Sequence, residues 1–214
     1  MSAVIPISFP LMPYAKGRNF PRPGKSDIED RMNRTRLFVF WALVSLPAFL
    51  VSAHLTSRAG ACLKSEAAPW GILSFEVPWS EPEAQRILAS WSGLHCGHQT
   101  GLEAALRSIL VDYAFIPAYC VFLSLLLLLL TSANFVSHRT WLTIIWISGL
   151  LDIVENLLMS QALQAFPEVA LPAWTYSLAS TLKWIGVAVV AGFLLFRLLI
   201  KFFTAVKNMG RSGG

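Results

Sequence analysis

Apolar residues dominate four stretches of the chain, 36–56, 108–131, 140–163 and 174–203. Each is long enough to meet the roughly 20 residues that a membrane-crossing helix requires. The first holds "LFVFWALVSLPAFLVSAHL", the second "FIPAYCVFLSLLLLLL" and the fourth "LASTLKWIGVAVVAGFLLFRLLIKFF". Pro47 and Pro117 fall inside such spans, where neighbouring helices re-satisfy the freed backbone groups and a local kink is expected. The pattern changes in the connection at 57–107, which is too long for a turn and too short for a full domain. There "SEPEAQRILASW" places Ala84, Ile87, Leu88 and Trp91 at i, i+3, i+4 and i+7, the single apolar face of a short amphipathic helix. Ser80 and Glu83 stand in capping-box spacing at its start, with Pro82 in the first turn. Ahead of it, "PWGILSFEVPW" is aromatic-rich and bounded by prolines, and Trp70, Trp79 and Trp91 either lie at headgroup level, beside a ligand, or pack the loop down.

The reading is an all-α membrane protein, a four-transmembrane-helix bundle with a small external cap holding one short helix. Its segments are an arm at 1–35, spans at 36–56, 108–131, 140–163 and 174–203, the cap at 57–107, turns at 132–139 and 164–173, and a tail at 204–214. Composition agrees: 55% of residues are hydrophobic and 14% charged, well below the roughly one quarter charged in soluble domains. The arm has five prolines before Lys25 and reads as flexible, with Ser26 and Glu29 starting a short helix into the first span. The first apolar span begins only after this polar lead, so the N-terminus does not read as a secretory signal.

Charge sets the expected orientation. Residues 1–36 carry seven Lys and Arg, and Arg197, Lys201, Lys207 and Arg211 cluster at the other end. The 132–139 turn has His138 and Arg139, the 164–173 turn has only Glu168, and the 54–107 loop has four basic residues against five acidic ones. By the positive-inside rule both termini are cytoplasmic and the cap lies outside an inner (plasma) membrane. The net charge of +5 then reflects topology and attraction to anionic lipid heads. Membrane lipids, a homo-oligomer or a larger membrane complex are the expected partners. Nucleic acid is not, because no basic stripe with interleaved aromatics lies outside the membrane flanks.

Of three cysteines, Cys120 falls in the second span and reads as a small buried hydrophobe. Cys62 and Cys96 share the external loop, and a disulfide closing that loop is the simplest reading in an oxidising compartment. "LHCGHQ" places His95 and His98 beside Cys96, with His54 at the end of the first span, which raises a metal site as the weaker alternative. The spacing matches no strong ligand pattern, so no metal and no cofactor are expected.

The third span contains "LLDIVENLLM". Asp152, Glu155 and Asn156 are spaced i, i+3 and i+4 and share one helix face. A charge in hydrocarbon costs several kcal/mol on most scales, so this stripe is expected to face the bundle interior. Helix rise places Lys183 of the fourth span at a similar depth, and Asp112 of the second nearer the outside. Tyr119 shares the face of Asp112, and Ser180 that of Lys183. Asp112, Tyr119, Asp152, Glu155, Asn156, Ser180 and Lys183 are therefore the candidate ligand-binding residues. Among them three carboxylates meet one ammonium, and the excess must be protonated, hydrated or bound to a cation. A purely structural alternative pairs Lys183 with Asp152 or Glu155 and leaves Asn156 as interhelical glue.

"GILSFE" at 71–76, "LVDYAFIPAY" at 110–119 and "LLDIVENLL" at 150–158 together resemble an uncharacterised group of small bacterial four-helix membrane proteins. That resemblance implies the same architecture and supplies no activity. No nucleophile elbow, P-loop, HExxH or Rossmann fingerprint appears, and no catalytic residue is assigned. Three functions remain: an outward-facing acidic pocket for a small or amphiphilic ligand or a cation, with a role in transport; an accessory or assembly subunit; and a small intramembrane enzyme acting on a lipid or isoprenoid. The non-enzymatic pocket leads.

Overall fold

A computed structural model describes residues 25–131, 138–169 and 171–211. The proline-rich lead at 1–24 and most of the 132–139 turn lie outside the described residues, as do the side chains of Ser26 and Glu29. The regular elements among the described residues are helices and one short hairpin. Helix α1 spans Lys25–Ala59, and a single 3-10 turn follows at Ala61–Leu63. The cap continues with α2 (Ile72–Glu76), α3 (Glu81–Ser92) and the two-residue strands β1 (His95–Cys96) and β2 (Gln99–Thr100). The long helices α4 (Gly101–Leu130), α5 (His138–Ala165) and α6 (Ala173–Arg211) complete the fold. Four helices are long and apolar enough to cross a membrane, over Arg36–Ala59, Gly101–Leu130, His138–Ala165 and Ala173–Met209. This is a multi-pass membrane protein by length and composition.

Helices α4, α5 and α6 form the packed centre, with α5 against both of the others. The α5–α6 approach is close because Gly186 has no side chain: a Cβ there would overlap Ser148 Oγ. Helix α1 is more peripheral, and Phe49 is its main anchor, stacked on Phe115 and Phe122 with ring centroids 5.6 and 5.1 Å apart. Its other apolar side chains are largely exposed, as expected of a helix solvated by lipid chains.

The cap has its own apolar core, shared with the adjoining ends of α4, α5 and α6. Phe75, Ile87, Leu88 and Trp91 pack there with Ile109, Met159, Leu163 and Tyr176. Helix α3 buries Ala84, Ile87, Leu88 and Trp91, the face its spacing dictates. Trp91 packs the loop down: it is wholly buried and donates from Nε1 to the Leu63 carbonyl at 2.8 Å. The helix period that puts Trp91 in line with Ala84 overrides the interfacial preference of an indole. Trp70 and Trp79 are exposed.

Ser80 is the N-cap of α3 by position, but its side chain caps nothing. Glu81, beside it, instead accepts from the Ala173 backbone N–H at 3.1 Å and tethers the start of α6. A true capping box occurs at Thr100 and Glu103, where α4 begins. The Cys62–Cys96 disulfide joins the 3-10 turn to β1. Cys120 is free and buried, as its apolar surroundings imply.

Candidate functional site

Between the cap core and a second apolar cluster around Ile116, Leu127, Ile145 and Val190 lies a layer of polar side chains. Each helix reaches it where its apolar stripe is interrupted: Asp112 on α4, Asp152, Glu155 and Asn156 on α5, and Ser177, Ser180 and Lys183 on α6. Lys183 is at the centre. Its Nζ lies 2.6 Å from Glu155 Oε2, 3.0 Å from Asp152 Oδ1 and 3.4 Å from Glu76 Oε2. Asp152, Glu155 and Lys183 are all at most 6% exposed.

The third carboxylate comes from the cap. Gly71 begins α2 at φ 62°, a conformation that favours glycine and turns the chain sharply after Trp70. Phe75 then anchors α2 in the cap core, edge-on to Trp91 and against Tyr176. The next residue, Glu76, is thereby directed onto α6. Its Oε2 accepts from Ser180 Oγ at 3.2 Å and from Trp184 Nε1 at 2.9 Å, besides facing Lys183. One turn toward the cap, Ser177 Oγ accepts from the Trp79 backbone N–H at 3.3 Å. Ser177, Ser180 and Trp184 form one stripe on α6, and the cap docks along it.

Six of the seven candidate ligand-binding residues converge on this layer, in two groups. Asp152, Glu155, Ser180 and Lys183 share the cluster with Glu76. Asp112 stands beside it and accepts from Asn156 Nδ2 at 2.8 Å. Tyr119 is buried in the second apolar cluster, and its hydroxyl has no hydrogen-bond partner among the described residues. Lys183 touches three carboxylates at once rather than pairing with one, and Asp112 is not among them. Glu76, Ser177 and Trp184 are members that the sequence reading missed. A signal existed for Glu76: it is the only acid between Pro69 and Pro78, at the end of the "GILSFE" motif.

The electrostatics follow from this count. Two of the three carboxylates around Lys183 are uncompensated when all are ionised, and Asp112 adds a fourth acid. Glu155 is the most enclosed, and its Oε1 has no hydrogen-bond partner among the described residues. A charged oxygen left so costs far more in a dry interior than a neutral, protonated one. Lys183 Nζ fills the point on which the carboxylates converge. Among the described residues no group of three or more His, Cys, Asp or Glu is arranged to hold a metal ion. His54, His95 and His98 are exposed.

Two clefts flank these elements. One, lined by Leu142, Trp146 and Leu150, is an apolar surface groove on α5. The other, about 550 Å³, opens at the cap, and of the cluster only Glu76 and its partner Trp184 line it. No family model, curated protein or solved structure matches this chain. The chemistry of the site therefore stands on its geometry.

Proposed function

We propose that this is an inner-membrane protein with both termini cytoplasmic and the cap outside, which binds a small or amphiphilic ligand at the cap and holds exchangeable protons in the acids beneath it. The observation that carries this reading is the convergence of Glu76, Asp152 and Glu155 on the one ammonium of Lys183. Carboxylates in excess of their cation, buried at membrane depth, are the arrangement suited to taking up and releasing a proton. Glu76 borders both the cap cleft and the cluster, so ligand binding at the cap and proton occupancy below it share one side chain. Such coupling serves transport or ligand-dependent signalling alike. The Lys and Arg clusters at the two termini support the cap outside and both ends inside.

Infrared difference spectroscopy of the protein in lipid membranes tests this directly. At neutral pH the wild type shows a protonated carboxyl band that Glu155→Gln or Asp152→Asn removes while the protein remains folded and monodisperse. The reading is overturned when the wild type shows no such band, or when neither substitution alters it.

A second reading, an accessory subunit of a larger membrane complex, draws on α1. Its span over Arg36–Ala59 buries only 6% of its most apolar window inside the chain, leaving apolar surface for another membrane helix. Purification in mild detergent distinguishes the two: a stoichiometric membrane partner favours assembly, and the chain alone or with lipid favours ligand binding.

A further inference from the structure

The cleft of about 550 Å³ at the cap joins side chains outside the proton site to two, Glu76 and Trp184, that belong to it. Glu66, Glu83 and Arg86 line it, are exposed, and form no ion pair or side-chain hydrogen bond among the described residues. Opposite charges that share a cleft without pairing are available to a ligand carrying both signs. Two indoles complete the wall, Trp70 at 73% and Trp184 at 48% exposure. The exposed indole of Trp70 beside carboxylates suits an organic ammonium, which gains from the ring quadrupole and from the charge. Trp184, by contrast, already carries Lys183 Nζ 5.2 Å from its ring centroid. An unpaired guanidinium suits a phosphate, to which it donates in a planar fork.

Placement adds the remaining chemistry. Trp184 belongs to the membrane-spanning part of α6, and Leu73, also lining the cleft, is 46% exposed. The cleft thus runs from charged cap residues to apolar side chains at the edge of a span. That gradient matches an amphiphile, with its head among charges and its chains along the helix.

We infer that this cleft binds a zwitterionic phospho-amine headgroup, its ammonium toward Glu66, Glu83 and Trp70 and its phosphate on Arg86. The inference rests on the ligand-binding half of the proposed function, and the proton half has a readout of its own. Glu76, at the inner border, would sense the occupant without being its principal ligand.

Native mass spectrometry of the full chain, released from detergent with defined lipids, tests the site. Phosphatidylethanolamine is expected to be retained about tenfold better than phosphatidylglycerol, which has the phosphate but no amine. Arg86→Ala and Glu83→Gln together are expected to erase that preference with an unchanged thermal midpoint, since neither side chain has a partner to lose. Soluble glycerophosphoethanolamine is the second arm. Displacement of the lipid shows that the headgroup alone is recognised, and retention despite it shows that the whole lipid is; both support the site. Equal retention of the two lipids, or a preference that survives the double substitution, overturns it. The infrared band of the buried acids is a separate readout, so loss of one reading leaves the other standing.

Discussion

Glu76 Oε2 lies 3.4 Å from Lys183 Nζ, and the same oxygen accepts from Trp184 Nε1 at 2.9 Å and from Ser180 Oγ at 3.2 Å. A five-residue helix of the cap is thereby fixed by its last side chain to three residues of one membrane helix. The pairing is long-range in sequence and local in consequence: it ties the cap to α6 beside the buried acids. Glu76→Gln keeps an acceptor oxygen in place but removes its charge. The expected loss is about 1–2 kcal/mol, the worth of charge-assisted over neutral hydrogen bonding. Hydrogen exchange is the informative measurement. Amides of α2 and α3 are expected to exchange faster while those of α5 keep their protection, and uniform change across the chain would refute a local latch.

Lys183 carries a larger share. Lys183→Met leaves Asp152 and Glu155 buried with no cation, and removing one partner of a buried ion pair typically costs about 3–5 kcal/mol. Neutralising the acids as well, with Asp152→Asn and Glu155→Gln, removes the uncompensated charge and is expected to recover part of that loss. Unfolding in denaturing detergent measures both. The triple variant is expected to be more stable than the single one, and strict additivity would mean that the three groups do not act as a unit.

The long helices and their polar interruptions were legible in the sequence because lipid imposes a simple rule: an apolar run of about 20 residues spans, and an acid within it faces inward. The same applies to α3, whose period of 3.6 fixes Ala84, Ile87, Leu88 and Trp91 as one buried face. Glu76 was hidden for a different reason. It stands in a five-residue helix, too short for periodicity to say which way a side chain points. Its place depends on Phe75 being seated against Trp91 and Tyr176, contacts made between segments far apart in the chain. Ser80 likewise satisfied a local motif, yet no side-chain cap forms there. Three-residue spacing records opportunity, and tertiary contacts decide whether it is taken up.

The disulfide makes a separable contribution. Cys62 and Cys96 are 34 residues apart, and the loop-closure argument assigns such a crosslink roughly 3–4 kcal/mol. Trp91, bonded to Leu63 beside Cys62, holds the same loop by packing. Cys62→Ala with Cys96→Ala is therefore expected to lower the melting temperature while leaving the cap docked. Limited proteolysis near neutral temperature checks this: cleavage within 57–107 is expected to remain slow until heating approaches the new transition. Immediate cleavage would show that the bond, rather than the apolar core, holds the cap in place.

The contact between α5 and α6 at Gly186 gives the sharpest steric test. A Cβ on Gly186 would overlap Ser148 Oγ but would lie 3.5 Å from Ser148 Cβ, an ordinary contact. Ser148 Oγ is itself held by a 2.9 Å bond to the Ile144 carbonyl one turn back, so it does not swing aside freely. Gly186→Ala is expected to cost about 1–3 kcal/mol by forcing α5 and α6 apart, as overpacking of a tight core does. Ser148→Ala removes the obstructing oxygen and is expected to be nearly silent alone, since its bond repeats one the helix already makes. Combined with Gly186→Ala it should restore most of the lost stability. The polar layer begins one turn along both helices, at Asp152 and Lys183, so the ion pair there reports the same separation. Rescue of stability together with the infrared signature of the buried acids would place the fault in that one contact. A double variant no better than Gly186→Ala would show that glycine is needed at 186 for a reason other than the room taken by Ser148.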